Sequence, residues 1–182
     1  MSEPAHCPVF SDIQACLCET PVSDGCRALR KAFGQFATGV TVVAAIDETG
    51  QPFGLTINSF ASLSMEPPLT VWSLTNSATD FARFCAVERY SINVLSAGQI
   101  AISNRFASRG IDRFAGVEWQ PGLGGAPLLA GCCAHFEVLN LAQHAGGDHH
   151  LFVGRVERFA ADPDRPPLVF HGGCYRRLDG GG

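Results

Sequence analysis

The chain has 182 residues, of which 46% are hydrophobic and 16% charged, so it holds enough apolar material for the core of one globular domain. Its formal net charge of -4 provides no basic surface, which argues against nucleic acid and anionic membranes as partners. No apolar run reaches the length of a membrane span, and the first residues lack the features of a signal peptide. We therefore expect a cytoplasmic protein.

The first part of the chain is rich in cysteine and has no periodic pattern. Residues 1–24 are predicted to form an irregular N-terminal arm, followed by one domain over residues 25–178. Four of the eight cysteines crowd this end of the chain, but they lack the paired spacing of a structural zinc site. We expect free thiols and no metal.

The predicted elements after the arm are mostly strands. Apolar residues at helical spacing between Leu29 and Phe36 predict an amphipathic helix. Two further helices are predicted, one after a cap at Ser77 and one from Ser96 to about Phe106. The segments predicted as strands or partly alternating runs are 38–46, 52–60, 68–74, 90–95, 134–145, 149–160 and 167–178.

Many short strands without regular alternation with helices favour an antiparallel barrel or sandwich with helices attached. A dinucleotide-binding sheet is disfavoured, because the nearest glycine pattern, from Gly122 to Pro127, lacks a third glycine and a following helix. The sequence contains no phosphate-binding P-loop and no G-x-S-x-G nucleophile motif.

An unusual group of polar residues lies where strands are predicted. It comprises Thr56, Asn58, Ser59, Ser62 and Ser64. Hydroxyl and amide groups at strand ends can hold a phosphate or a polyhydroxy chain. They can equally satisfy their own backbone in turns, so the residue types alone leave both interpretations open.

Six motifs in a fixed order decide between these interpretations. They are FATGVTVV, GLTINSFASLSMEPPL, FARFCAVERYSINVLSAGQIAISNRFA, DRFAGVEW, GDHHLFVGRV and PLVFHGGCYRRL. This series resembles the flavin reductase-like family, the small reductase components of two-component flavin monooxygenases. The resemblance covers about residues 30 to 178.

The resemblance implies a mainly β fold with flanking helices, the antiparallel split β-barrel of the FMN-binding type, working as a homodimer. It implies an enzyme that oxidises NADH or NADPH, reduces FMN, FAD or riboflavin, and supplies reduced flavin to a partner monooxygenase. Two other readings remain open. One is a tightly flavin-bound electron carrier or ferric reductase, and the other is a non-catalytic flavin-binding sensor.

The resemblance also implies the residues of a flavin site. Thr56, Asn58 and Ser59 are expected beside the flavin ring and ribityl chain, with Ser62 and Ser64 on the same wall. The turn with Asn76, Ser77 and Thr79, which opens a helix, is similar to the family's ribityl and phosphate pocket. The loop around the flavin is matched by Phe106, Ala107, Arg113 and Phe114, where an arginine can pair with phosphate.

His149, in the triplet Gly147-Asp148-His149, matches the family histidine near the nicotinamide and is the expected catalytic residue. Its neighbour His150 should face the other way, because adjacent side chains of a strand alternate between its two faces.

Overall fold

The computed structural model describes residues 26–178, so the predicted arm of residues 1–24 lies outside the described residues. By its contacts the described part of the chain divides into two units between Phe36 and Ala37. The first unit contains the predicted amphipathic helix, α1 (Cys26–Phe33). No helix between residues 26 and 178 combines the length and apolarity needed to cross a membrane.

The second unit holds the strands and the other helices. Its strands are β1 (Thr38–Gly39), β2 (Thr41–Ile46), β3 (Pro52–Ile57), β4 (Ala61–Met65), β5 (Pro68–Thr75), β6 (Arg89–Val94), β7 (Trp119–Pro121), β8 (Pro127–Leu129), β9 (Ala134–Gly146), β10 (His149–Ala161), β11 (Val169–His171) and β12 (Cys174–Arg176). Its helices are α2 (Phe81–Ala86), α3 (Ile100–Ala107) and a 3-10 turn (Leu123–Gly125).

Antiparallel pairing dominates the second unit. Seven strands form one sheet in the order β3-β2-β6-β9-β10-β5-β4, and β1-β11-β12 and β7-β8 form two smaller sheets. All pairs of neighbouring strands are antiparallel. The predicted fold class, mainly β with flanking helices, is confirmed.

The large sheet curls around one core. Phe53 of β3 and Trp72 of β5 lie near opposite ends of the strand order, yet both contact Phe84 of α2, with ring centroids 4.7 and 5.2 Å apart. Trp72 also stacks on Phe152 of β10 at 4.4 Å. Because these side chains share one buried cluster, the sheet must bend towards the closed curvature of a barrel.

Strand β2 is buried on both faces. Val43 points into the core inside the sheet, whereas Val42 belongs to a second core on the outer side. That outer core also contains Leu95, Phe106 of α3 and Leu168. Helix α3 is therefore fixed against the outer face of the sheet, beside β3.

Three local predictions were wrong in detail. The strand predicted over 52–60 ends at Ile57, because the Ser59 hydroxyl turns back to donate to the Ser73 carbonyl and accept from the Ser73 N–H, both at 3.0 Å. The segment after α3, for which no strand was predicted, contains the short pair β7 and β8. Ser77 does not cap α2, which begins at Phe81 with Asp80 at the cap position and without a side-chain capping bond.

Gly154 in β10 is required by close packing inside the sheet. A Cβ atom on this residue would overlap Cγ1 of Val138 and the hydroxyl of Tyr90, both of which are almost fully buried. Burial raises the pKa of Tyr90 to about 12, so its hydroxyl is neutral in the core. The absent side chain of Gly154 therefore leaves the space that this hydroxyl fills.

Replacing Gly154 with alanine is expected to lower the free energy of unfolding by about 1–3 kcal/mol, the usual cost of overpacking a core. Urea denaturation measures this change. Gly98→Ala is the matched control, because a Cβ there meets nothing within 4 Å and should leave stability nearly unchanged. Equal midpoints for the two variants would show that the core can absorb the methyl group.

Candidate functional site

A groove of about 260 Å³ lies between the end of β3 and α3. Its walls combine polar, aromatic and aliphatic side chains from four parts of the chain. They are Thr56 and Asn58 at the end of β3, Ser103 and Ala107 of α3, Phe170 and Tyr175 of the C-terminal strands, and Val40 and Ile57. The groove thus brings together three of the predicted site residues, Thr56, Asn58 and Ala107.

Hydrogen bonds hold the walls of this groove in place. The Thr56 hydroxyl donates to the backbone carbonyl of Ser103 at 2.7 Å. The Tyr175 hydroxyl donates to the Asn104 side-chain oxygen at 2.9 Å and lies 2.8 Å from the Ser103 hydroxyl. The exposed Asn58 amide makes no hydrogen bond to any residue in the described range, so both its donor and its acceptor can meet a ligand.

A second cavity, of about 250 Å³, follows the groove along β3. It is lined by Gly54, which lies on the same face of β3 as Thr56 and about 7 Å from it. Thr79, Arg113 and Phe114, three further predicted site residues, also line it. The two cavities therefore extend along one face of the same strand.

The buried carboxylate of Asp80 organises the second cavity. One of its oxygens pairs with Arg113 at 2.7 Å and the other with Arg83 at 2.9 Å. Arg113 also donates to the carbonyls of Gly54 at 2.7 Å and Ser108 at 2.8 Å. The guanidinium of Arg113 is therefore largely committed to protein groups, and its charge is balanced by Asp80.

The two predicted aromatic residues, Phe106 and Phe114, support this region from inside the protein. Phe106 is fully buried and Phe114 is 8% exposed, and their rings pack edge to face at 5.0 Å in the outer core. Ala107, which follows Phe106, reaches the groove. The two rings thus fix the end of α3 and the loop after it, while the small Ala107 forms the exposed wall.

A third group of predicted residues lies where β5 ends, beside the turn between β9 and β10. Three groups of Asn76 bind this turn. The backbone N–H donates to the Asp148 carbonyl at 2.9 Å. In the side chain, the amide nitrogen donates to the Gly147 carbonyl at 3.4 Å and the amide oxygen accepts from Nδ1 of His150 at 2.6 Å. The exposed Ser77 hydroxyl contacts only the Thr75 hydroxyl, at 3.1 Å, among the described residues.

His149 is held by its neighbour in the same turn. Its Nδ1–H donates to the Asp148 carboxylate at 2.7 Å, and this hydrogen bond lowers the pKa of Asp148. The histidine side chain is 45% exposed, so Nε2 can meet a ligand. His150 packs against the Phe81 ring at 4.8 Å, which places the adjacent histidines in different environments.

The remaining predicted residues lie on the far side of the corner after β3. Ser59 is bonded to the backbone of Ser73, as described above. Ser64 accepts a hydrogen bond from the Glu66 N–H at 3.2 Å, and Ser62 is exposed on β4. None of these three serines lines either cavity on β3.

A larger cavity, of about 650 Å³, lies elsewhere, between the β2–β3 turn and α2. None of the predicted site residues lines it. Its two arginines are paired with carboxylates, Arg83 with Asp47 at 2.6 Å and Arg89 with Glu157 at 3.0 Å. Size alone therefore does not locate the functional site.

Sequence reasoning missed Ser103, Tyr175 and Asp80. Ser103 and Tyr175 lie 72 positions apart in the chain, and only the packing of β12 near α3 brings their hydroxyl groups together. Asp80 lies just after Ser77, in a segment that was interpreted only as the cap of a helix. A buried carboxylate between two arginines leaves no local signature in the sequence.

Comparisons with known proteins agree with this architecture. The sequence profile described as "Flavin reductase like domain" matches residues 33–179. The FMN reductase (NADH) SmoA of Agrobacterium fabrum is 42% identical over 158 residues, 87% of this chain and 89% of that protein. The flavin-dependent monooxygenase reductase subunit HsaB of Rhodococcus jostii is 38% identical over 156 residues, 84% of this chain and 78% of that protein.

A solved structure extends the comparison to three dimensions. The NADH:FAD oxidoreductase SgcE6 of Streptomyces globisporus C-1027, in complex with NAD and FAD fragments, matches with a TM-score of 0.84 and 37% identity. The match covers 89% of this chain and 98% of that one. The chain belongs to the flavin reductase-like family, as the six sequence motifs predict.

Proposed function

We propose that this protein is an NAD(P)H:flavin oxidoreductase that supplies reduced flavin to a partner monooxygenase. The observation that carries the proposal is the pair of cavities along β3, one lined by neutral hydroxyl and amide groups and the next by arginines. A flavin nucleotide has the same order, a polar ring edge followed by a ribityl chain and phosphate. The relatives that act on FMN or FAD with NADH support the same assignment.

The donor set of the groove fits the ring end of FMN or FAD. The free Asn58 amide can both donate to and accept from a heterocycle edge, and Thr56 fixes α3 so that Ala107 leaves room beside it. The same wall is proposed to include Ser59, Ser62 and Ser64. Ser59 contributes by fixing the corner that follows Asn58.

The second cavity fits the phosphate end. Thr79 offers a hydroxyl, and Arg113 contributes a rigid guanidinium at the wall. Asn76 and Ser77 are proposed to serve the ribityl side of this pocket, while Phe106 and Phe114 hold the loop that closes it.

A bound flavin accepts a hydride from the reduced nicotinamide, and the protein's task is to orient the two rings and exclude competing reactions. His149 is proposed to hold the nicotinamide in NADH or NADPH through Nε2. Asp148 fixes the orientation of its ring by accepting from Nδ1. No protein nucleophile is required for this transfer.

We also infer a homodimer. Large apolar side chains are exposed on the neighbouring strands β9 and β10: Leu141 of β9, and Leu151 and Phe159 of β10, of which Phe159 is 74% exposed. Burial of such side chains against a second copy would be favourable. The partner monooxygenase is inferred from the reductase subunit among the relatives.

The test of the proposed function is oxidation of NADH and NADPH by the purified protein, with and without added FMN, FAD and riboflavin, before and after gel filtration. We expect turnover that requires added flavin, from a protein with the mass of a dimer by light scattering. A bound flavin that survives gel filtration and sustains turnover unaided would instead identify a tightly bound electron carrier. Bound flavin without any oxidation of NADH or NADPH would identify a sensor.

The groove assignment predicts that the double variant Thr56→Ala, Asn58→Ala binds FMN about thirtyfold more weakly. The loss of the Asn58 hydrogen bond to the ligand and of the Thr56 bond that holds α3 at the groove, at about 1 kcal/mol each, gives this factor. Titration of FMN fluorescence measures the dissociation constant. Thr56→Ser is the control, because it keeps the hydroxyl that donates to Ser103. Normal FMN affinity in the double variant would rule out the groove as the flavin site.

The proposed role of His149 predicts that its loss weakens the use of NADH but not the binding of FMN. His149→Ala should raise KM for NADH about tenfold, the value of one hydrogen bond to a bound ligand, and leave the FMN dissociation constant within about twofold. Steady-state kinetics and FMN titration give the two quantities. His144→Ala, a change at an exposed residue of β9, is the control. Equal losses for NADH and FMN would contradict this role.

A further inference from the structure

The cavity proposed for the phosphate end is lined by three arginines, Arg83, Arg109 and Arg113, and by two aspartates, Asp80 and Asp112. A third carboxylate, Asp47, reaches Arg83 from outside the cavity. The question is which of the three arginines has no carboxylate bound to it.

Two of the three guanidinium groups are already paired. Asp80 binds both Arg113 and Arg83, and Arg83 also pairs with Asp47 at 2.6 Å. Arg83 further lies over the Phe53 ring, 3.9 Å from its centroid. Both arginines therefore shape the cavity, but their donors and their charge are directed mainly at the protein.

Arg109 differs from the other two. It lies in the exposed loop after α3, and within residues 26–178 it has neither an ion pair nor a hydrogen bond. Gly110, which follows it and also lines the cavity, has a φ of 72°, a left-handed conformation that glycine adopts without strain. The loop is anchored at Arg113, so Arg109 is carried on a short segment whose far end is fixed.

We propose that Arg109 is a specificity-determining residue that selects phosphate-bearing flavins, FMN and FAD, over riboflavin. Its five donors are uncommitted, and a guanidinium fork matches the oxygens of a phosphate group. Riboflavin has the same ring and ribityl chain but lacks the phosphate, so it gains nothing from this side chain. This inference rests on the proposed function and adds to it the residue that discriminates among flavins.

The assignment also explains why Arg113 is not the discriminating residue, although the sequence motif points to it. Directing Arg113 to a ligand would leave one oxygen of the Asp80 carboxylate, which is only 11% exposed, without its partner, and would also break the bond to the Gly54 carbonyl; both losses are costly in a partly buried site. Directing Arg109 to a ligand breaks no contact among the described residues. The phosphate is therefore bound at lowest cost by Arg109, against a wall that Arg113 keeps rigid.

The test compares FMN with riboflavin, both by kcat/KM in NADH oxidation and by fluorescence titration without NADH. The natural protein should prefer FMN about tenfold, the value of a hydrogen bond to a charged group. In Arg109→Ala this preference should disappear through weaker use of FMN, with riboflavin unchanged within about twofold. Arg109→Lys should keep part of the preference, because it keeps the charge without the fork.

Arg165→Ala is the matched control. Arg165 is also an exposed arginine, but it pairs with Asp162 and lines neither cavity on β3. It should keep the full preference for FMN.

Two results would overturn the inference: equal use of FMN and riboflavin by the natural protein, or equal losses for both flavins in Arg109→Ala. Either can occur in an active flavin reductase, so it would leave the proposed function intact. Absence of NADH and NADPH oxidation with every flavin would defeat the proposed function instead. The fluorescence titrations would still decide the role of Arg109 in that case.

Discussion

The burial of β2 on both faces is the constraint from which the rest of the architecture follows. Its inward residues, such as Val43, need a core inside the curled sheet, and its outward residues, such as Val42, need a second layer. Helix α3 supplies that layer through Phe106. Since α3 also contacts β3 through the bond from Thr56 to Ser103, the groove forms where the helix and the exposed end of the strand diverge.

The charged network beside this groove holds the walls of the second cavity together. Asp80 joins α2 to the loop after α3 by binding Arg83 and Arg113 at once, and Arg113 ties that loop to β3 through the Gly54 carbonyl. Three segments distant in sequence are thereby held around one cavity. A partly buried pair is weak evidence for stability, but it restricts geometry, which is what a binding wall requires.

Much of the fold could be predicted from the sequence, because its signals are periodic and local. Helix α1, the long strands and the antiparallel class follow from apolar spacing and turn residues. The corner at Ser59 could not be predicted, since it depends on the backbone of Ser73, which is distant in sequence. The pair β7 and β8 was hidden because each strand has only three residues and contains a proline, and the segment between them is rich in glycine.

The same distinction, between local sequence signals and contacts that only the fold creates, applies to the site residues. Thr56, Asn58 and Ala107 belong to short motifs, and the structure places them in one groove. What the motifs could not indicate is which polar groups are already occupied. Arg113 has the residue type expected of a phosphate ligand, but only the three-dimensional structure shows its pairing with Asp80. Residue type predicts what a side chain can do, whereas its neighbours determine what remains free to react or bind.

Asn76 is a polar residue whose groups are already bound, and its bonds connect the two halves of the candidate site. Its backbone and amide groups are bound to the turn that carries Asp148 and His149, while its own segment leads through Thr79 into the arginine-lined cavity. The positions proposed for the two substrates are thus joined by the short segment from Asn76 to Thr79. From this connection we expect that flavin bound at one end would restrict the turn that holds His149 at the other, so that the two binding affinities are coupled.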